Sequence, residues 1–202
     1  DLNQKKINSV AWGRSKNINY SWVDLDNELS SEMIVDYLIS KDHKKIAFIN
    51  VEEKYNFAFL RKKGFKKALR KNSIPYDSSI YRTTSLEDPS FTKNITMELL
   101  EKNPDLDSII CSTEYASVGA IEACVELGIN IGKDISLITY DGPVVESLTN
   151  PKITAVAHPL EELGKKAIEI LMNQHKNTDN ISYLAVPHII ERGSVRSLIK
   201  SN

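Results

Sequence analysis

Short apolar runs and longer amphipathic stretches take turns along this chain. Ile7 to Trp12 is a short apolar run ended by Gly13-Arg14, and Tyr20 to Val23 is a second. Both have the length of strands. Asn27 to Ser40 carries Met33, Val35, Tyr37, Leu38 and Ile39 in a helical pattern, with Asn27 suited to the N-cap. Lys45 to Asn50 predicts a buried strand, and a helix follows from about Phe57 to Lys71. Ile80 to Arg82 predicts another short strand. Phe91 to Lys102 is amphipathic and stops before Asn103-Pro104-Asp105, a turn signal. Ser108 to Cys111 predicts a strand, and Glu114 to Leu127 a helix closed by Gly128 in the left-handed cap position. Asp134 to Thr139 predicts a strand broken by Tyr140-Asp141-Gly142-Pro143. Thr154 to Ala157 is the next strand. Pro159 then opens a helix, where its missing N–H costs nothing, and that helix runs to about Gln174. Ser182 to Val186 and His188 to Arg192 are the last two strands, flanking Pro187, after a polar surface loop at Asn173 to Asn180.

Strands alternating with helices predict an α/β fold, with doubly wound parallel sheets covered by helices on both faces. In open sheets of this kind ligands bind outside the carboxyl ends of the strands. Gly13 and Arg14 fall at such an edge, as do Tyr55, Asn56, Phe57, Phe59 and Arg61, then Thr113 and Glu114, then Asp141. Arg61 offers a planar fork of donors and Asp141 only acceptors; together they can bracket vicinal hydroxyls, or one can meet a charged group on the ligand. Each also has a plain reading, Arg61 as a solvated charge in Arg61-Lys62-Lys63 and Asp141 as a turn residue before Gly142-Pro143. The aromatic side chains Tyr55, Phe57 and Phe59 suit either stacking on a sugar face or burial. His158, ahead of Pro159, suits a structural hydrogen bond.

Composition narrows the function. The chain has 202 residues, 41% of them hydrophobic, which supports a core and excludes disorder. Its net charge of −1 lacks the electrostatic footprint of a nucleic-acid surface. Cys111 and Cys124 lack metal-ligand spacing and read as reduced core thiols. The histidines His43, His158, His175 and His188 lack it too, so no metal and no cofactor is expected. There is no glycine-rich phosphate loop and no nucleophile–base motif, which disfavours a nucleotide-dependent enzyme. No apolar run approaches the roughly 18 residues of a membrane span, and no signal peptide opens the chain. The opening residues Asp1 to Lys6, without an initiator methionine, read as the start of a fragment.

Several pieces, in order, carry a resemblance. They are Gly13-Arg14, Val23-Asp24-Leu25-Asp26-Asn27, His43-Lys44-Lys45-Ile46-Ala47-Phe48-Ile49, and Arg61-Lys62-Lys63-Gly64-Phe65. Ala120-Ile121-Glu122-Ala123, Glu126-Leu127-Gly128-Ile129 and Asp134 through Asp141 continue it. Glu162-Leu163-Gly164 and Glu191-Arg192-Gly193-Ser194 close it. Over nearly its whole length the chain resembles the effector-binding part of the lactose/galactose repressor (LacI/GalR) family of bacterial transcription regulators. It departs from the family pattern at Asp42 and Thr139, where glycine is usual, at Thr113-Glu114, and at Gly142, where a second acidic residue often stands.

The resemblance implies a periplasmic-binding-protein-like architecture of two lobes with ligand in the cleft. Crossovers would fall near Leu25–Asn27, Ala157–Pro159 and Val186–His188. Residues 26–156 with 188–202 would form the carboxyl-side lobe, and residues 1–25 with 159–187 an incomplete amino-side lobe. Arg61, Asp141, Gly13, Leu25, Phe57, Thr113 and His158 form the expected ligand-binding set. The resemblance further implies a cytoplasmic, non-enzymatic sensor of a sugar or similar metabolite. It would touch operator DNA through a helix-turn-helix missing from this chain. The surplus of apolar residues on the helix from Glu114 to Leu127 adds to the expectation of a homodimer. The competing expectation is a secreted sugar-binding protein that feeds a transporter.

Overall fold

Strict alternation puts both faces of one strand into cores: Ile46 and Phe48 pack to one side, Ala47 and Ile49 to the other, all of them buried. A computed structural model of the protein describes residues 7–15, 20–86, 88–140, 142, 149–173 and 180–199. The elements run β1 (Val10–Trp12), β2 (Ser21–Leu25), α1 (Asn27–Ser40), β3 (Ile46–Val51), α2 (Asn56–Lys71), β4 (Tyr81–Thr84) and α3 (Pro89–Lys102). Then come β5 (Ser108–Cys111), α4 (Glu114–Glu126), β6 (Ser136–Tyr140), β7 (Thr154–Val156), α5 (Leu160–Asn173), β8 (Ser182–Ala185) and β9 (Ile189–Ile190).

They build two sheets. The larger has the order β4-β3-β5-β6-β7-β9, parallel except for β9 at its edge. On one face α1 and α2 bury Ile34, Val35, Leu38, Phe65 and Leu69 against Phe48, Ile110 and Ile138. On the other, α3 and α4 bury Leu99, Ala116, Ala120 and Cys124 against Ile49, Ile109 and Leu137. The smaller sheet, β1-β2-β8, is parallel and packs Val23 and Ala185 against Leu163 and Ile170 of α5. The doubly wound architecture expected from the pattern is the one observed.

Each helix pair closes on a glycine. A methyl group at Gly64 of α2 would meet the Glu28 carbonyl of α1, and one at Gly119 of α4 would meet the backbone of α3 at Pro89. This close approach changes the reading of α4. Its buried residues include Ala116, Ala120, Ala123 and Cys124, and Val118 and Ile121 pack partly on the same core. Most of the apolar surplus is thus spent within the fold, and Val125, 74% exposed, is left outside.

Helix ends differ from the expectation in two places. Asp26, not Asn27, caps α1, accepting from the Leu29 N–H at 3.1 Å. Asp88 caps α3, so that helix starts at Pro89 rather than Phe91. Gly128 does take a left-handed conformation after α4, with φ +67°. Asp42 takes one after α1, with φ +68°, and the His43 N–H donates to the Leu38 carbonyl across it. The expected helix end at Gln174, and the loop residues 174–179, lie outside the described residues.

Candidate functional site

The order β4-β3-β5-β6-β7 reverses direction between β3 and β5, and the crevice beyond the carboxyl ends of those strands is where such sheets bind ligands. Arg61 sits there. It lies on α2, four residues after Phe57 and therefore on the same helix face. It is only 4% exposed. Its Nε donates to Asn27 Oδ1 at 2.8 Å, and its Nη1 donates to the Ser112 carbonyl just past β5. The guanidinium carbon lies 3.3 Å from the Tyr140 ring centroid and 5.0 Å from that of Phe57. Tyr140 is in turn held through its hydroxyl, 2.9 Å from Ser30 Oγ. Burial pushes the guanidinium pKa down, while Tyr140 and Asp24 act against that shift.

From Arg61 a chain of polar contacts crosses to the smaller sheet. Asn27 Nδ2 donates to Asp24 Oδ1 at 3.2 Å and to the Leu25 carbonyl at 3.0 Å. Asp24, on β2, also accepts from the Leu25 N–H at 2.8 Å and from the Arg14 N–H at 3.3 Å, and its carboxylate lies 3.5 Å from Arg14 Nε. Burial raises the Asp24 pKa despite these donors. A second bridge is direct: Asn56 Nδ2, at the start of α2, donates to the Arg14 carbonyl at 2.8 Å.

Between the sheets lies a cleft of about 660 Å³. Its lining includes Gly13 and Arg14 from the smaller sheet's edge, Phe57 and Arg61 from α2, and Thr113, Glu114, Tyr140 and His158. Trp12 and Tyr20 line it too, and Trp12 is 55% exposed. A second cavity, about 420 Å³, lies beside α4 among Ile121, Val125, Ile129, Pro151 and Ile153. It lacks the convergent charged groups of the first, so the interlobe cleft is the candidate site.

The structure thus brings Arg61, Gly13, Phe57, Thr113 and His158 to one cleft. Thr113 has a structural task as well, since its Oγ1 accepts from the Ala116 N–H at 3.1 Å as the N-cap of α4. The His158 ring lies tilted beside that of Tyr140, with ring centroids 6.4 Å apart. Leu25 is a correction. Strand alternation turns its side chain away, and it is buried among Ile34, Phe48 and Tyr140 in the core. Phe59, two residues along the helix from Phe57, points to a different face and is outside the lining. Asp141 lies outside the described residues.

A model of the periplasmic binding protein-like domain matches residues 35–195, well over half the chain. The chain belongs to that family. The HTH-type transcriptional regulator MalR of Clostridium butyricum is 29% identical over 154 residues, covering 76% of this chain and 46% of its own length. A regulatory protein of the LacI family from Chloroflexus aggregans superposes with a TM-score of 0.87 at 26% identity, covering 96% of this chain and 70% of that one. A complex of the transcriptional regulator CelR with cellobiose has the same TM-score at 22% identity and covers 96% and 60%. The resemblance carried by the motifs is borne out by these relatives. The chain spans about half the length of the curated relatives it matches.

Within this family fold, sequence reasoning missed Asp24, Asn27 and Tyr140. The pattern suits Asn27 to capping, yet Asp26 directly before it does that work. Two cap-type residues in a row leave one for another task, and this was the available signal. Among the described residues there is no group of three or more His, Cys, Asp or Glu side chains that could hold a metal ion. No helix among them is long and apolar enough to cross a membrane.

Proposed function

We propose that the cleft takes a small polar metabolite, a sugar or a close relative of one, and that its occupancy fixes the smaller sheet relative to the larger. The observation that carries this reading is the buried Arg61, tied to β2 through Asn27 and Asp24 and open to the cleft beside Phe57. A ligand engaging Arg61 acts on both sheets through one contact. In the whole protein, that position would set the affinity of a cytoplasmic homodimer for operator DNA, read by a helix-turn-helix outside this chain. MalR and the CelR–cellobiose complex support the reading, one as a regulator and the other as a regulator with a sugar bound. The relatives being transcriptional regulators favours a sensor over a transporter's binding protein and over an enzyme.

A thermal-shift screen of sugars and nucleosides tests it. A ligand at 100 times its Kd adds about 2.7 kcal/mol of stability. For a chain of this size that raises Tm by roughly 5–11 °C. A full panel without a shift would sink the proposal.

A further inference from the structure

Two kinds of contact tie the smaller sheet to the larger. The chain from Arg61 through Asn27 to Asp24 ends within residues 24–27, where the backbone itself passes from β2 to α1. Contacts there sit beside a covalent connection and can stay whole while the sheets turn about it. The bond from Asn56 Nδ2 to the Arg14 carbonyl, 2.8 Å long, is of another kind. Its partners are 42 residues apart in the chain. One is the first residue of α2 and the other lies just past β1, and both line the cleft. Any motion that parts the sheets at the cleft breaks this bond.

Both ends of the bond are held in place. Gly13 has φ +90°, a conformation that strains any side chain, and it turns the backbone at the end of β1. Its N–H still donates to the Val23 carbonyl at 2.8 Å, and the next N–H, that of Arg14, donates to Asp24 Oδ2 at 3.3 Å. Residue 14 is thus fixed to β2 through its N–H while its carbonyl is given to α2. On the other side, Tyr55 is the N-cap of α2 and makes no side-chain cap bond. The first turn of a helix favours a negative charge or an acceptor. Asn56 instead uses an amide donor there, and that donor reaches across the cleft.

We propose that Asn56 is an interlobe latch, a positioning residue whose amide holds the cleft closed before any ligand arrives. Its effect on ligand affinity rests on the reading of the cleft as a sugar site; the latch itself is present without ligand. The test is pulsed electron double resonance between spin labels on Lys71→Cys of α2 and Lys165→Cys of α5, both exposed positions. Cys111 and Cys124 are buried and stay unlabelled. Without ligand, Asn56→Ala should raise the open-to-closed ratio by about 2- to 10-fold, the worth of one neutral hydrogen bond. Asn56→Asp removes the same donor but supplies a carboxylate that suits the helix start, so it should open the cleft as well. Gly13→Ala should open it from the other side by displacing the Arg14 carbonyl, and should add nothing in an Asn56→Asp background.

Interlobe distances unchanged in Asn56→Ala and Asn56→Asp overturn the latch. So does opening by Asn56→Ala that Asn56→Asp restores, because that marks a role at the helix end alone. Calorimetric titration of the parent and Asn56→Asp with ribose, glucose, maltose and cellobiose reads the consequence. The apparent Kd should rise in proportion to the closed share that is lost. Weaker binding at an unchanged closed share makes Asn56 a ligand contact and overturns the latch. If none of these sugars binds the parent, the sugar reading of the cleft falls, and the ligand-free distances still decide the latch.

Discussion

Replacing Arg61 by lysine keeps the charge and removes the fork. In the protein the fork does three things at once: it donates to Asn27 Oδ1, donates to the Ser112 carbonyl, and lies over the Tyr140 ring. An ammonium meets at most one of the two acceptors. The other is left buried without a donor, which costs about 1–3 kcal/mol. The stacking lost over Tyr140 adds about 0.5–2 kcal/mol. A central value for Arg61→Lys is about 3 kcal/mol, or a fall in Tm of roughly 6–12 °C for a chain of this size. Differential scanning calorimetry without ligand is the assay. Lys63→Arg, on the exposed side of the same basic run and paired with Glu28 at 2.8 Å, is the control and should stay within about 0.5 kcal/mol of the parent. Arg61→Lys melting within about 1 °C of the parent would refute the role of the fork as a structural tie.

Other outcomes follow from the same contacts. Asp42→Gly should raise stability by about 0.5–1 kcal/mol by chemical denaturation, because a side chain is strained at φ +68° and glycine is not. A loss of stability would contradict this. Burial alone would raise the Asp107 pKa, but the His43 side chain, the Lys45 and Lys44 N–H groups and Ser108 Oγ outweigh it and hold the carboxyl below its ordinary 3.8. A depressed carboxyl stabilises above its unfolded value and loses that contribution as pH falls. Asp107→Asn should therefore destabilise most near neutral pH, and the gap to the parent should narrow below about pH 3.8; a gap that widens in acid would refute it. Burial pushes Cys124 up to about 11 and Cys111 higher still, so neither thiol should react with a thiol reagent at pH 8 until the chain unfolds. Rapid labelling of the folded protein would count against their burial.

Most of the fold was legible because its determinants are local. The apolar run in Lys45 to Asn50 and the Gly128 stop each sit within a few residues of the element they specify. The departure at Asp42 was visible as an unusual residue in a familiar motif, and the backbone gives the reason, a left-handed helix end that glycine would occupy without strain. The site was half legible. Arg61, Phe57 and Gly13 stand where strands hand over to helices or loops, and position alone pointed to them. Asn27 and Tyr140 did not stand out, because their roles depend on partners far along the chain: Asn27 is 34 residues from Arg61, and Tyr140 is 110 residues from Ser30. Leu25 failed for a local reason, since one step along a strand exchanges the cleft-side polar Asp24 for a core leucine.

Ligand is expected to bind between the two sheets at Arg61. The most direct measurement is a crystal structure of the protein with the strongest sugar from the thermal-shift screen. Density for the sugar within hydrogen-bond distance of Arg61 and against the Phe57 ring, touching residues of both sheets, is the predicted result. Density confined to the cavity among Ile121, Val125 and Ile153, with the Arg61 cleft holding only water, would contradict it.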